Sequence, residues 1–469
     1  MFRQSLLWTS CLALLVAPAA DAQAQGKAAS KPAATSTQKL GANVETRTFK
    51  NGLKVIVWPD HDIPNVALYN WFRVGSRNEY PGITGLSHFF EHMMFNGAKK
   101  FGPGEFDRVM EANGGSNNAF TSEDVTVYQD WFPRSALDII FQLEADRLQH
   151  LAFDPKVIES ERGVVYSERR SGVDNNNMGA LAEQVQATAF VAHPYQFPVI
   201  GWPSDIESWR IEDLQRYFKT YYAPNNGTLI FTGAVTPAEI FTLVEKYLEP
   251  IPAQPAPEPV RTLEPEQQGE RRVVVKKVSQ SPLLQIVYHG MSGKDADVEA
   301  LTLLLNILGD GDSSRLHRRL VEEERVAIRA GTMYSPGFDP GLVWLTADLP
   351  TGGDLARAEA LITEELARVV KDGVTDAELR KARNITLANF WRSLETINGR
   401  AYALGSSEVF RGDYRKAFDS PARFERVTRD DIRKVATRIF VPERRTVGWL
   451  VPTEAADPAT PATRKEAAR

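Results

Sequence analysis

The chain runs through one succession of structure twice, and that repeat constrains its fold more than any other feature. Residues 44–47 and 53–58 read as strands flanking Asn51-Gly52, a dipeptide that favours a type I′ hairpin, and 67–74 reads as a further strand ahead of a helix over 85–96. The order then returns: 272–276 and 283–289 read as strands and 297–308 as the helix in the corresponding place. Later a helix at 213–221 precedes a strand at 228–233, much as 430–440 precedes 446–451. Two diverged copies of one α/β unit explain this order most simply.

Between the copies lies Ile251-Pro252-Ala253-Gln254-Pro255-Ala256-Pro257-Glu258-Pro259, which can hold neither helix nor central strand. It predicts an interdomain linker over 251–270, with domains at 43–250 and 271–453. A chain of 469 residues, 43% hydrophobic and 25% charged, can furnish a core for each. Its net charge of -5, without a basic stripe, excludes nucleic acid as an expected partner.

The ends differ from this body. Met1-Phe2-Arg3, an apolar run from Leu6 to Ala20 broken only by Thr9 and Ser10, and the small-residue sites Ala20-Asp21-Ala22 and Ala22-Gln23-Ala24 predict a cleaved signal peptide over 1–24. The run is shorter than the roughly 20 residues a bilayer requires, so no membrane span is expected. Cys11, the only cysteine, falls inside it. Export without a structural disulfide fits a bacterial periplasm. Residues 25–42 and 454–469, polar and alanine-rich, predict a disordered spacer and tail.

The chemistry concentrates in Gly85-Leu86-Ser87-His88-Phe89-Phe90-Glu91-His92-Met93-Met94-Phe95-Asn96-Gly97, where Thr84 can cap a helix of about three turns and Gly97 can end it. His88 and His92, four residues apart, then project from one face with Glu91 beside them. A lone histidine in an apolar helix is usually packed or otherwise satisfied. Here, two of only seven histidines stand at helical spacing with a glutamate between them. A hydrolytic zinc ion needs three protein ligands and one open position. The histidines supply two, Glu91 is placed to act as general base, and the third ligand must come from elsewhere.

His-x-x-Glu-His is the inverted zinc motif, and here the chain resembles the pitrilysin, insulinase and mitochondrial processing peptidase family of zinc metallopeptidases. Asn118-Ala119-Phe120-Thr121 resembles the family's active-site strand, and Pro194-Tyr195 with Ile200-Gly201 its later signature. The resemblance spans nearly all of the mature chain. It implies an α+β fold of two homologous α/β-roll domains, each a mixed, largely antiparallel sheet packed with helices, together forming half of a clamshell. It also implies a zinc-dependent metalloendopeptidase that hydrolyses peptides in an enclosed chamber, with one Zn2+ per chain and no metal site in the second domain.

By that resemblance the third ligand is Glu168, 76 residues beyond His92, and Glu161 supports a ligating histidine from behind. Asp154 can cap and Pro155 can start a helix on which Glu161 and Glu168, seven apart, share a face. Asn118 and Ala119 would lie on the edge where a peptide substrate adds as a strand. The rival implied by the family is a non-catalytic core subunit of an assembly; such relatives lose parts of the zinc motif, and this chain keeps all four positions.

In one place the chain departs from the family. Active relatives carry an arginine and a tyrosine seven residues apart that hold the substrate against the metal. In Ser313-Ser314-Arg315-Leu316 and the twelve residues after it, Val321 stands at the arginine's position and Ile328 at the tyrosine's. Arg325 or Tyr334 could take over. Otherwise a related sister subunit must supply the pair, which predicts a heterodimer.

Overall fold

Residues 54–59 read Lys-Val-Ile-Val-Trp-Pro, and a strand apolar at each interior position belongs in a sheet covered on both faces. A computed structural model describes residues 41 and 43–454. The signal peptide, nearly all of the spacer and all but the first residue of the tail lie outside the described residues. The first sheet contains β1 Glu45–Thr48, β2 Lys54–Pro59, β3 Asn65–Phe72, β4 Ser116–Thr121, β5 Thr126–Pro133 and β6 Gly227–Gly233, in the order β1-β2-β6-β3-β5-β4. The second contains β7 Arg271–Val278, β8 Leu283–His289, β9 Arg329–Met333, β10 Leu342–Asp348 and β11 Arg445–Thr453, in the order β7-β11-β8-β10-β9.

Without β1 the two orders are the same. Each sheet has one parallel pair, β2 with β6 and β7 with β11, and is otherwise antiparallel. The protein is therefore an α+β fold of two mixed, largely antiparallel sheets packed with helices, and the repeat read from the sequence extends to strand topology.

Both faces of each sheet are covered, and the halves exchange helices to do it. On one face of the first sheet Val55, Val57, Leu68 and Phe72 pack with Leu86, Phe89, Phe90 and Met93 of the helix Leu86–Met93. On the other, Ile56, Trp58, Tyr69 and Trp71 meet Ile397, Ala401 and Leu404 of the helix Ile397–Arg411, from the second half of the chain. Reciprocally, Leu181, Val185 and Ala189 of the helix Asn177–Ala189 cover Leu283, Val287 and Leu450 of the second sheet.

The exchanged helix lies very close to the first sheet at Gly405. A Cβ there would fall 2.1 Å from Nε1 of Trp71, which is 1% exposed and cannot swing away. Gly→Ala in an exposed helix gains roughly 1 kcal/mol, but overpacking a core costs roughly 1–3 kcal/mol or more. Gly405→Ala is expected to lower the midpoint of denaturant unfolding; a raised midpoint would contradict this packing.

The hairpin differs from expectation. Among the described residues Gly52 has a positive φ of 83° and Asn51 does not, so the turn cannot be type I′, which requires both. Instead Gly52 N–H donates to Phe49 O and Phe49 N–H to Leu53 O, giving a three-residue loop. Asn51 is held elsewhere, its amide donating to Leu248 O and Ile251 O at 2.9 and 3.0 Å. Residues 251–268 carry no helix or strand, and Glu264 within them accepts from the backbone N–H groups of Val191, Ala192 and His193.

Candidate metal centre

Leu86, Phe89, Phe90 and Met93 bury one side of the helix Leu86–Met93, which turns His88, Glu91 and His92 to the other. The helix has two turns, not three. Thr84 does not cap it: its hydroxyl donates to Asp205 Oδ2 at 2.7 Å, and Gly85 starts the helix with a φ of 88°. The free N–H groups of Gly85 and Ser87 go to the Glu79 carboxylate at 2.6 and 2.7 Å. Burial pushes Glu79 up to about 7 against the pull of those two donors. Gly97 does not end the helix either, because Phe95 and Asn96 N–H already bond to His92 O and Met93 O in a tighter turn.

The second contributor is the helix Pro155–Arg169, whose N-cap Asp154 accepts from Lys156 N–H at 2.8 Å. It lies beside the first helix, with Arg162 donating to Trp209 O at 3.0 Å. Glu168 Oε2 then sits 3.5 Å from His88 Nε2 and 3.3 Å from His92 Nε2, and the two Nε2 atoms are 3.3 Å apart. Three ligand atoms at about 2.0–2.1 Å from a tetrahedral ion stand about 3.3–3.4 Å from one another. Two edges of the observed triangle match this spacing and the third is 0.1 Å longer. Among the described residues no other group of three His, Cys, Asp or Glu has its ligand atoms within 4.8 Å.

Glu161 lies behind this triangle, its Oε1 2.7 Å from His92 Nδ1. A carboxylate there takes the Nδ1–H and leaves the lone pair at Nε2. His88 Nδ1 is buried without a hydrogen-bond partner among the described residues.

The two rings carry opposite charge preferences. Burial pushes His88 down to about 3. Burial acts the same way on His92, but the Glu161 and Glu168 carboxylates outweigh it and lift His92 to about 10. Without metal His92 therefore favours the imidazolium form, and zinc must displace the proton on its Nε2; proton release means that affinity rises with pH. Zinc affinity, measured by chelator competition, is expected to increase about tenfold per pH unit between neutrality and about 10. A pH-independent affinity would contradict that proton.

Glu91 faces the same space. Thr121 Oγ1 donates to Glu91 Oε2 at 2.6 Å, and burial raises the carboxyl's pKa. Thr121 belongs to β4, the terminal strand of its sheet, whose outer edge has no strand partner among the described residues. Along β4 side chains alternate: Ala119 packs towards the core of the His88 helix, whereas the exposed Asn118 shares the opposite face with Phe120. In the sequence Thr121 lies in the active-site-strand motif with no role of its own, and nothing marks out Glu79. A capping carboxylate ahead of the helix it serves has no short-range signature.

In the second half, Val321 packs partly buried on the local core and Ile328 is 63% exposed. Tyr334 has its hydroxyl committed to the backbone of Met291, while Arg325 is exposed with a left-handed φ of 54°. No helix among the described residues is long and apolar enough to cross a membrane.

A duplicated α+β fold with an inverted histidine motif on a helix of its first half defines a class of peptidases. The chain belongs to the insulinase family, peptidase family M16: residues 54–201 match the family described as insulinase (peptidase family M16), and 208–386 match the peptidase M16 inactive domain. It is 32% identical to the zinc protease PqqE of Helicobacter pylori over 416 residues, 87% of this chain and 93% of that one. With the probable mitochondrial-processing peptidase subunit beta of Schizosaccharomyces pombe it shares 27% identity, over 84% of this chain and 88% of that one. The crystal structure of a protease from Helicobacter pylori superimposes with a TM-score of 0.84 at 30% identity, covering 87% of this chain and 99% of that one. The periplasmic protease PqqL from Escherichia coli has the same fold, with a TM-score of 0.72 at 19% identity; 89% of this chain matches 49% of that one.

Proposed function

We propose that the protein is a zinc-dependent metalloendopeptidase in which His88, His92 and Glu168 hold the metal and Glu91 is the general base. The observation that carries this reading is the triangle of His88 Nε2, His92 Nε2 and Glu168 Oε2, with edges of 3.3, 3.3 and 3.5 Å and Glu91 beside it. Zinc, when bound, supplies the Lewis acid that polarises a scissile carbonyl and lowers the pKa of water to about 7. Glu91, held by Thr121, accepts a proton from the attacking water and returns it to the leaving amine. Glu161 keeps His92 in the ligating tautomer. An extended peptide pairs with the open edge of β4 at Asn118 and Ala119, so main-chain bonds give affinity with little demand on sequence. Hydrolysis of an unstructured peptide, lost on chelation and restored by zinc, tests this function; hydrolysis indifferent to chelation contradicts it.

The finer features follow from the same reading. Domains at 43–250 and 271–453 form half of a peptide-enclosing chamber, and the chain acts in the periplasm after removal of its signal peptide. A related sister subunit supplies the arginine and tyrosine absent at Val321 and Ile328. Support for that partner comes from the second half itself, where Ile328 is an exposed aliphatic side chain and the Tyr334 hydroxyl is already taken.

A further inference from the structure

A second concave site lies at the seam between the two halves. There the turn at residues 122–125, between β4 and β5, meets the loop at 334–341, between β9 and β10. Asp124 fastens them, accepting from Arg77 Nη1 at 3.0 Å, the Tyr195 hydroxyl at 2.7 Å and Phe338 N–H at 2.8 Å. Its charge is therefore already compensated.

Beside this clamp is a cavity of about 160 Å³ walled by Phe190, Tyr195, Tyr334 and Trp344, with Met333, 61% exposed, at its rim. Apart from Asp124, its only charged lining residue among the described residues is Glu123. Among the described residues no cationic side chain pairs with Glu123; its carboxyl accepts from its own backbone N–H, and burial, joined by the neighbouring Asp124, raises its pKa against that bond. A carboxylate with no cationic partner in such surroundings is costly, and it is complementary to a cation carried on an apolar stem. Aromatic walls attract the same cation through their faces. The volume suits one long side chain and is too small for a whole small-molecule ligand.

The position matters as much as the chemistry. Glu123 follows Thr121, the residue that holds Glu91, by only two residues, which limits their separation to at most about 7 Å along the chain. A peptide paired along β4, as proposed above, would pass close by.

We infer that this seam pocket is a specificity site for a lysine or arginine side chain of the substrate, with Glu123 as its counter-charge. The role in specificity rests on the peptidase reading; the binding does not. The test is therefore equilibrium binding of N-acetyl-lysine methylamide and N-acetyl-arginine methylamide to the full-length chain, with the neutral norleucine and citrulline compounds as controls. Saturable binding of the cationic compounds is expected, about tenfold weaker for the neutral ones and for Glu123→Gln, and partly regained in Glu123→Asp. No saturable binding, equal binding of lysine and norleucine compounds, or undiminished affinity in a folded Glu123→Gln overturns the site. If peptides are cleaved, the ratio of kcat/KM for lysine-containing over norleucine-containing substrates should fall towards one in Glu123→Gln. A chain that binds in this pattern yet cleaves nothing even when combined with a sister subunit carrying the arginine and tyrosine counts against the peptidase reading and leaves the pocket standing.

Discussion

Glu91→Gln is expected to keep its zinc and lose about 10²–10⁴-fold in kcat. The amide has the shape of the carboxylate and can still accept from Thr121, so the helix and the ligand triangle are undisturbed. What it lacks is the basicity to take a proton from water. Zinc content and peptide turnover, measured on one preparation, separate the possibilities. Loss of metal would make Glu91 a ligand, whereas near-normal turnover would move the general base elsewhere.

Mixing with a sister subunit is expected to have the second large effect. Neither Val321 nor Ile328 can donate a hydrogen bond to a peptide carbonyl or to a developing oxyanion, and one such donor is worth about 10²–10³ in rate. Tyr334 offers no easy substitute, because Met291 already binds its hydroxyl. The chain alone should be nearly inactive and should gain at least about 10²-fold when combined with a related chain that carries the arginine and tyrosine. Full activity without a partner, unchanged on mixing, would refute the two-subunit arrangement and point to Arg325, which is exposed near the same segment.

Features set by local spacing were the ones legible in the sequence. The strand and helix order exposed the duplication, and the interval between His88 and His92 exposed a shared helical face. Asp154 ahead of Pro155 marked the start of the helix carrying Glu161 and Glu168. Glu168 itself came only through family resemblance, because nothing local ties it to a histidine 76 residues earlier. Contacts made across the fold left no such trace. The Glu79 carboxylate displaced Thr84 from the expected cap, and the binding of Asn51 to Leu248 and Ile251 accompanied a different turn at Gly52. The exchange of helices between halves was equally hidden, since Gly405 looks like an ordinary helix-weakening glycine until Trp71 is seen against it.

The central claim is that Glu168 completes a zinc site begun by His88 and His92, and metal content tests it most directly. The purified protein should carry one equivalent of zinc, and folded Glu168→Ala should carry almost none. Stoichiometric zinc in Glu168→Ala would contradict the assignment and place the third ligand on another residue.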